Sequence, residues 1–340
     1  MFVCSNYLSS NLPARQQTGA VLILALLIVA MVAGLGIKFA GDYQLGLARA
    51  EGRWHGAQAR AYGYGAESAA IQLLNKEDDP AYDAPNEVWH YEFPIEVDGG
   101  GLLVTITDAS AKFNLNALVG TLDPAKGPQD PTRYTAQGRM FIRLLRSFPE
   151  LVRSTEEAAG IFEAIVDWTD PDNMPSGLYG AEEDYYLSRP DPYRPANAPF
   201  RSLEELQLVR GITPELMKAI RPYITVLNTI TPLNINTMDV RMFRTINAVT
   251  DLEPIDASQA EALQKTVPKV GYYLQPSEFD ATWNAVFGSS NDYDKSFLTV
   301  KTDFFWLTTQ AVIGQQRRTA RSLLKRSPQG FSVVQRDEVY

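Results

Sequence analysis

Ala20 to Ile37 form an unbroken apolar run that Lys38 closes. As a helix it spans ~27 Å at ~1.5 Å per residue, close to the ~30 Å hydrocarbon core of a bilayer. The pattern therefore predicts a membrane-spanning or filament-core helix over 20–41. From Leu47 the period continues in another form. Leu47, Ala50, Trp54, Ala57, Ala61, Tyr64, Ser68 and Ile71 alternate three and four apart, a helical stripe made largely of small residues. Small side chains allow close approach, as a packed filament core or a sheet-covering helix requires. Gly34, Gly36, Gly41, Gly46, Gly52 and Gly56 weaken each turn by up to ~1 kcal/mol relative to alanine. Local bending or melting is expected between Gly34 and Gly46.

The period then changes to two. Trp89, Tyr91, Phe93, Ile95 and Val97 alternate with polar positions, Asp98-Gly99-Gly100-Gly101 turns the chain, and Leu102, Val104 and Ile106 return it. From Ala111 to Ser296 the pattern is mostly helical, with helices predicted over 131–148, 155–168, 237–246, 258–266 and 277–287. Two more begin at the capping box Ser202-Leu203-Glu204-Glu205 and at Thr213-Pro214, where Thr caps and Pro takes the first helical position. Strand character returns over 297–312, 319–324 and 331–335. The organisation predicted is α+β: a long N-terminal helix on a small antiparallel sheet, interrupted by a large inserted α-helical domain. Its parts are a leader (1–19), the apolar helix (20–41), the helix-plus-hairpin part (42–110), the insert (111–296) and the strands completing the sheet (297–340).

The leader ends Arg15-Gln16-Gln17-Thr18-Gly19, directly before the apolar run. Arg15 is its one charge, so positive-inside logic keeps it cytoplasmic and exports the remainder. An ordinary signal peptide would carry a small-x-small cut after the apolar run, but Met31 spoils the best candidate, after Ala33. A glycine before the run resembles a type IV prepilin leader, cut between Gly19 and Ala20. Most pilin-like chains carry a glutamate five residues after that glycine; this chain has Leu24. A carboxylate at membrane depth costs roughly 2.5–3.5 kcal/mol and is tolerated mainly when paired. A subunit with no neighbour above it has no amine to pair with, so the substitution suits the first subunit of a filament.

Composition narrows the function class. The net charge is −9, and removal of the leader takes it to −10, which disfavours nucleic acid as the main partner. The single cysteine, Cys4, lies in the leader, and with only His55 and His90 as histidines any metal would be held by oxygen. No cysteine nucleophile remains after processing, and no HExxH or phosphate loop occurs, so no enzymatic role is predicted. A hydrophobic content of 45 % with sixteen Tyr supports a folded core.

One constellation is chemically loaded. Asp167, Asp170, Asp172, Glu182, Glu183, Asp184 and Asp191 crowd into twenty-five residues, with Arg189 and Arg194 opposing them. Calcium takes six to eight flexible oxygens, which makes Asp170, Asp172, Glu182, Glu183 and Asp184 the leading candidate ligands. Asp167, Asp292 and Asp294 come second. A solvated acidic loop with capping aspartates is the alternative. Leu206 to Ala219 and Leu233 to Ile246 resemble helix-hairpin-helix repeats, which elsewhere bind DNA phosphates. This leaves a second function in view, a membrane-anchored periplasmic nucleic-acid-binding protein, although Arg210 and Lys218 belong to no basic stripe.

The leader, DASAKFNLNAL (108–118), DWTDPDN (167–173), GAEEDYY (180–186), YRPANAP (193–199) and TPLNINT (231–237) occur in that order. Together they resemble the general secretion pathway protein K family, the large minor pseudopilins of type II secretion systems. Ala20, where many pilins have an aromatic, departs from the commonest leader. The resemblance implies processing and methylation by a prepilin peptidase and a single-pass inner-membrane protein of a Gram-negative bacterium with its bulk in the periplasm. It further implies assembly with the I- and J-type minor pseudopilins at a pseudopilus tip that supports export across the outer membrane. A calcium-binding helical domain with SAM-like subdomains is implied as well. The partner interface is expected along Leu47, Ala50, Trp54, Ala57, Ala61 and Tyr64.

Overall fold

The computed structural model describes residues 18–76, 81–118, 122–123, 125–288 and 292–339. The predicted leader up to Gln17, Arg15 included, lies outside them. Helix α1 (Thr18–Leu74) runs unbroken for 57 residues. The melting expected between Gly34 and Gly46 does not occur: six glycines lower helix propensity without removing a hydrogen bond, and neighbouring Leu and Ala residues carry the helix through.

After a 3-10 turn at Val88–His90, strands β1 (Phe93–Val97) and β2 (Gly100–Asp108) form a hairpin. Trp89 belongs to the turn rather than to β1. The Glu87 carboxylate accepts from the Ala84 N–H (2.7 Å) and from Trp89 Nε1 (3.0 Å), and the indole packs edge-on against Phe305. The chain then leaves the sheet. It returns as β7 (Phe304–Ile313), β8 (Gln316–Ser327) and β9 (Gly330–Val339), in sheet order β1-β2-β7-β8-β9, all antiparallel. Asp108 at the end of β2 pairs with Phe305 near the start of β7. The two ends of the insert are thus adjacent, which is what lets a domain be inserted without disturbing its host.

α1 packs on one face of the sheet through Ala59, Ala66, Ala70 and Leu74, against Trp89, Ile106, Phe305, Ile313 and Leu324. The sheet-covering stripe is therefore not the predicted one. At ~100° per residue the stripe from Leu47 to Tyr64 lies on the opposite side of the helix, and it is exposed. The other sheet face meets the insert through Ala109, Leu227, Phe304, Trp306 and Leu323.

The insert holds β3 (Phe113–Asn114), α2 (Ala136–Arg146), α3 (Thr155–Thr169), α4 (Glu183–Leu187), α5 (Pro214–Ile220), β4 (Ile224–Thr225), β5 (Leu233–Asn234), α6 (Val240–Phe243), α7 (Ala257–Lys265), α8 (Phe279–Phe287) and β6 (Leu298–Thr299). The predicted Thr213 and Ser202 caps form, but the Ser202 segment is a 3-10 helix. The helices predicted from Pro131 and Thr237 are shorter because 3-10 and turn segments open them. Phe297, Leu298 and Val300 belong to the insert's core, as do Tyr82 and Ala84 ahead of the sheet. The expected boundary at 296/297 moves accordingly.

One arrangement occurs twice within the insert. β3 pairs in parallel with β4, and β5 with β6. Two residues beyond each strand's asparagine, a second one grips a distant backbone. Asn116 accepts from the Phe200 N–H (2.8 Å) and donates to the Phe200 carbonyl (2.9 Å). Asn236 does the same to Tyr273 (2.8 and 3.0 Å). Five residues after each gripped aromatic, Glu205 and Glu278 accept from the Arg201 and Leu274 N–H groups, both at 2.9 Å. The FNLN and LNIN segments are therefore equivalent side-chain clamps that replace backbone pairing in a region of short strands.

The second clamp also joins the insert to the sheet. Buried Asp108 accepts from Asn234 Nδ2 (2.8 Å), Thr237 Oγ1 (2.6 Å) and the Ser110 N–H (2.6 Å). Burial pushes its carboxyl up to about 6. Asp83 accepts from the Thr302 N–H (2.7 Å) and pairs with Arg326 at 2.5 Å.

Candidate metal centre and partner face

Glu163 and Asp167 stand four apart near the end of α3 and share one face of the helix, and Asp170 follows as its extended C-cap. Glu163 is neutralised: it pairs with buried Arg133 at 2.5 Å and accepts from the Tyr179 N–H at 2.8 Å. The other two have no such cation among the described residues. The loop 171–182 folds back and brings Glu182, which precedes α4, onto them. One oxygen from each of Asp167, Asp170 and Glu182 lies within 4.8 Å of the others.

Glycine makes that approach possible. A Cβ on Gly180 would fall 2.3 Å from Asp167 Oδ2, and one on Gly177 2.5 Å from Arg133 Nη2. The loop is further held by Arg210, which donates to the Tyr179 and Gly180 carbonyls (3.4 and 3.3 Å) and lies 4.9 Å over the Tyr185 ring. Buried Tyr186 wedges between Trp168 and Tyr193 behind the cluster.

The cluster is buried and dense in negative charge. Asp167 Oδ2, Asp170 Oδ1 and both Glu182 oxygens are buried without a hydrogen-bond partner. Burial, then the neighbouring carboxylates, pushes Asp170 up to about 6 and Glu182 up to about 7. Burial also raises Asp167. Three carboxylates with orphaned oxygens and no paired cation supply hard oxygen donors and nothing softer, which fits calcium or magnesium rather than zinc.

Of the sequence-predicted ligands, Asp170 and Glu182 are brought together, and Asp167, placed second, is central. Asp172 is exposed and accepts from the Met174 N–H at 2.8 Å, yet its charge still raises both Asp170 and Glu182. Glu183 and Asp184 are corrections: Glu183 pairs with Arg194 at 3.1 Å, and Asp184 is exposed and outside the cluster. Asp294 is another, for buried Arg139 takes it at 2.5 Å, while exposed Asp292 lies 3.8 Å from Lys295. The place of Asp167 in the last turn of α3, just before the C-cap Asp170, was the signal for Asp167.

The stripe residues Leu47, Ala50, Trp54, Ala57, Ala61 and Tyr64 are all exposed, Trp54 by 70 %. They continue from the apolar part of α1, where Gly19 and Ala20 sit in the first turns. Its best window has a mean hydropathy of 3.0, and none of that window is buried. The glycine hairpin at Gly211 (φ 87°) is packed: a Cβ there would meet Ile161 Cγ1 at 2.8 Å.

Comparison with known proteins adds identity to this geometry. A family profile described as "Type II secretion system (T2SS), protein K" matches residues 111–229, which contain the first clamp and the carboxylate cluster. The type II secretion system protein K of Pectobacterium carotovorum subsp. carotovorum is 32 % identical over 94 % of this chain and 96 % of its own length. That of Pseudomonas aeruginosa is 30 % identical, covering 95 % and 93 %. A crystal structure of the GspK-GspI-GspJ complex from the enterotoxigenic Escherichia coli type 2 secretion system matches with a TM-score of 0.67 at 25 % identity. The match covers 86 % of this chain and 99 % of that one. With relatives at this identity over nearly its whole length, the chain belongs to the type II secretion system protein K family.

Proposed function

We propose that this chain is a minor pseudopilin that forms the tip of a periplasmic pseudopilus together with I- and J-type subunits and supports export across the outer membrane. The observation carrying this reading is the exposed stripe of α1. It faces away from the chain's own sheet and continues the apolar run, so a second helix can seat on it. Small residues at Ala50, Ala57 and Ala61 permit close approach. Leu24, in place of a carboxylate, removes any need for a subunit above, and the bulky insert fits an end better than the interior of a thin filament. The packing of Gly211 onto Ile161 favours a scaffold use of the helix-hairpin-helix segments over a phosphate-binding one.

The full-length chain in detergent, mixed with I- and J-type pseudopilins from the same organism, should give a defined heteromer by size-exclusion chromatography. Ala57→Arg or Ala61→Arg should abolish it, since a charge buried in a helix seam has no partner. An unaltered heteromer in both variants would remove the stripe from the interface.

Processing follows from the same reading. Cleavage by a prepilin peptidase leaves Ala20 as a methylated N-terminus, and mass spectrometry of the N-terminal peptide from the producing cell should find it. A start at Gly34 would instead mean ordinary signal cleavage. Calcium is the proposed occupant of the Asp167, Asp170 and Glu182 cluster, with Asp172 as the nearest further donor; bound there it would neutralise the carboxylates and order loop 171–182.

A further inference from the structure

A groove runs between α1 and the turn joining β7 to β8, with a volume of about 450 Å³. Arg49, Arg53, Arg60 and Arg318 line it over a floor of Gly52 and Gly56, and no acidic residue is among its lining. A Cβ at either glycine would sit 3.5 Å or more from its nearest neighbour. Among the described residues Arg49, Arg53 and Arg60 make no ion pair, and all three are exposed. Arg49 and Arg53 are also four apart, so like charges face each other on the helix, which is unfavourable unless an anion joins them. The nearest carboxylate further along this flank, Glu67, is already held by Arg336 at 2.8 Å and by Ser322. Three arginines without an ion pair among the described residues, on a chain of net charge −9, call for a partner of opposite sign.

Two features choose between lipid and protein. Arg49 stands twelve residues beyond Ile37 on one continuous helix, ~18 Å at ~1.5 Å per residue, and Arg60 lies ~35 Å beyond it. The headgroup zone adds only about 5–8 Å beyond the hydrocarbon, and even a ~40° tilt leaves Arg49 outside it. The second feature is position. At ~100° per residue the three arginines lie about a quarter turn from the exposed stripe, on the flank a helix seated there would overhang.

We infer that this groove receives an acidic helix flank of the pilin-like subunit that seats on the α1 stripe, and that it sets the register and rate of their association. The inference rests on the assembly reading above. Charges at the edge of an interface act mainly on association rate and salt dependence, so both are measured.

Full-length chain in detergent is tested for binding to the I- and J-type pseudopilins at about 50 mM and about 300 mM salt, where the screening length falls by roughly half. Arg49→Glu with Arg53→Glu should slow association about tenfold at low salt and flatten its salt dependence. Arg49→Lys with Arg53→Lys should retain wild-type behaviour, and the helical circular dichroism of both variants should match wild type. Wild-type rates in the glutamate variant, alongside loss of binding in Ala57→Arg, would overturn the groove while leaving the assembly reading standing. A wild-type chain that binds neither subunit would overturn both. Loss of sedimentation with phosphatidylglycerol vesicles, with subunit binding intact, would assign the groove to lipid and overturn the inference.

Discussion

Calcium should raise the melting temperature of this protein near pH 8 and have little effect near pH 5. At a hundredfold excess over Kd a single site stabilises by roughly 2.7 kcal/mol, or about 5–10 °C for a domain of 150–250 residues. The pH dependence follows from the cluster. Without a cation, burial and then the neighbouring carboxylates raise Asp170 from 3.8 to about 6 and Glu182 from 4.5 to about 7. Carboxyls raised in the folded state hold protons that the unfolded chain has released. Their effect on cation-free stability is therefore adverse and grows as pH climbs from about 4 through about 7. A bound cation needs the deprotonated forms, so it removes that penalty only where they are ionised. The gap between calcium and chelator should open across this window and close below it. Asp170→Ala with Glu182→Ala should abolish the gap at every pH, and Glu183→Ala should leave it. Equal melting temperatures with calcium and with chelator near pH 8 would assign the cluster to a solvated acidic loop.

Arg139→Ala should cost about 3–5 kcal/mol, the range for removing one partner of a buried pair, with a fall in melting temperature on the order of 10 °C. Arg139 Nε and Nη2 donate to Asp294 Oδ2 at 3.0 and 2.5 Å, and Nη1 donates to the Tyr134 carbonyl at 2.6 Å. The pair ties α2 to the segment that returns the chain toward β6. Without the guanidinium, Asp294 is a buried carboxylate left with the Ser296 hydroxyl (2.9 Å). Replacing both partners, Arg139→Met with Asp294→Leu, should recover much of the loss, because neither charge then needs solvation. Denaturant unfolding with calcium held constant measures both variants. A single substitution within about 1 kcal/mol of wild type would mean that water reaches the site. Neighbouring Arg143 differs: fully buried, it donates to the Thr245, Ala248 and Asp251 carbonyls and makes no ion pair among the described residues. Burial, helped by the like charge of Arg139 and opposed by Asp294 and Asp251, pulls its guanidinium down to about 10.

The apolar run, the stripe beyond it, the hairpin at Asp98-Gly99 and the Ser202 and Thr213 caps were legible in the sequence because each depends on neighbours within a few residues. Period, turn chemistry and capping are local. The order of the DWTDPDN, GAEEDYY and TPLNINT blocks carried the family for the same reason, since side-chain chemistry at fixed spacing needs no coordinates. Which acidic residues share a site did not follow from spacing. Asp170 and Glu182 meet, and Asp184 does not, because the Gly177 and Gly180 backbones lie directly on α3. Glu183 and Asp294 were lost to Arg194 and Arg139, partners eleven and 155 residues away. The two stripes of α1 show the division most clearly. Both are rich in small residues at helical spacing, and the sequence determines that two such faces exist. The tertiary structure alone decides that Ala59, Ala66 and Ala70 cover the sheet while Ala50, Ala57 and Ala61 face outward. That choice depends on where β7 and β8 arrive after the insert, a long-range placement that no local free energy encodes.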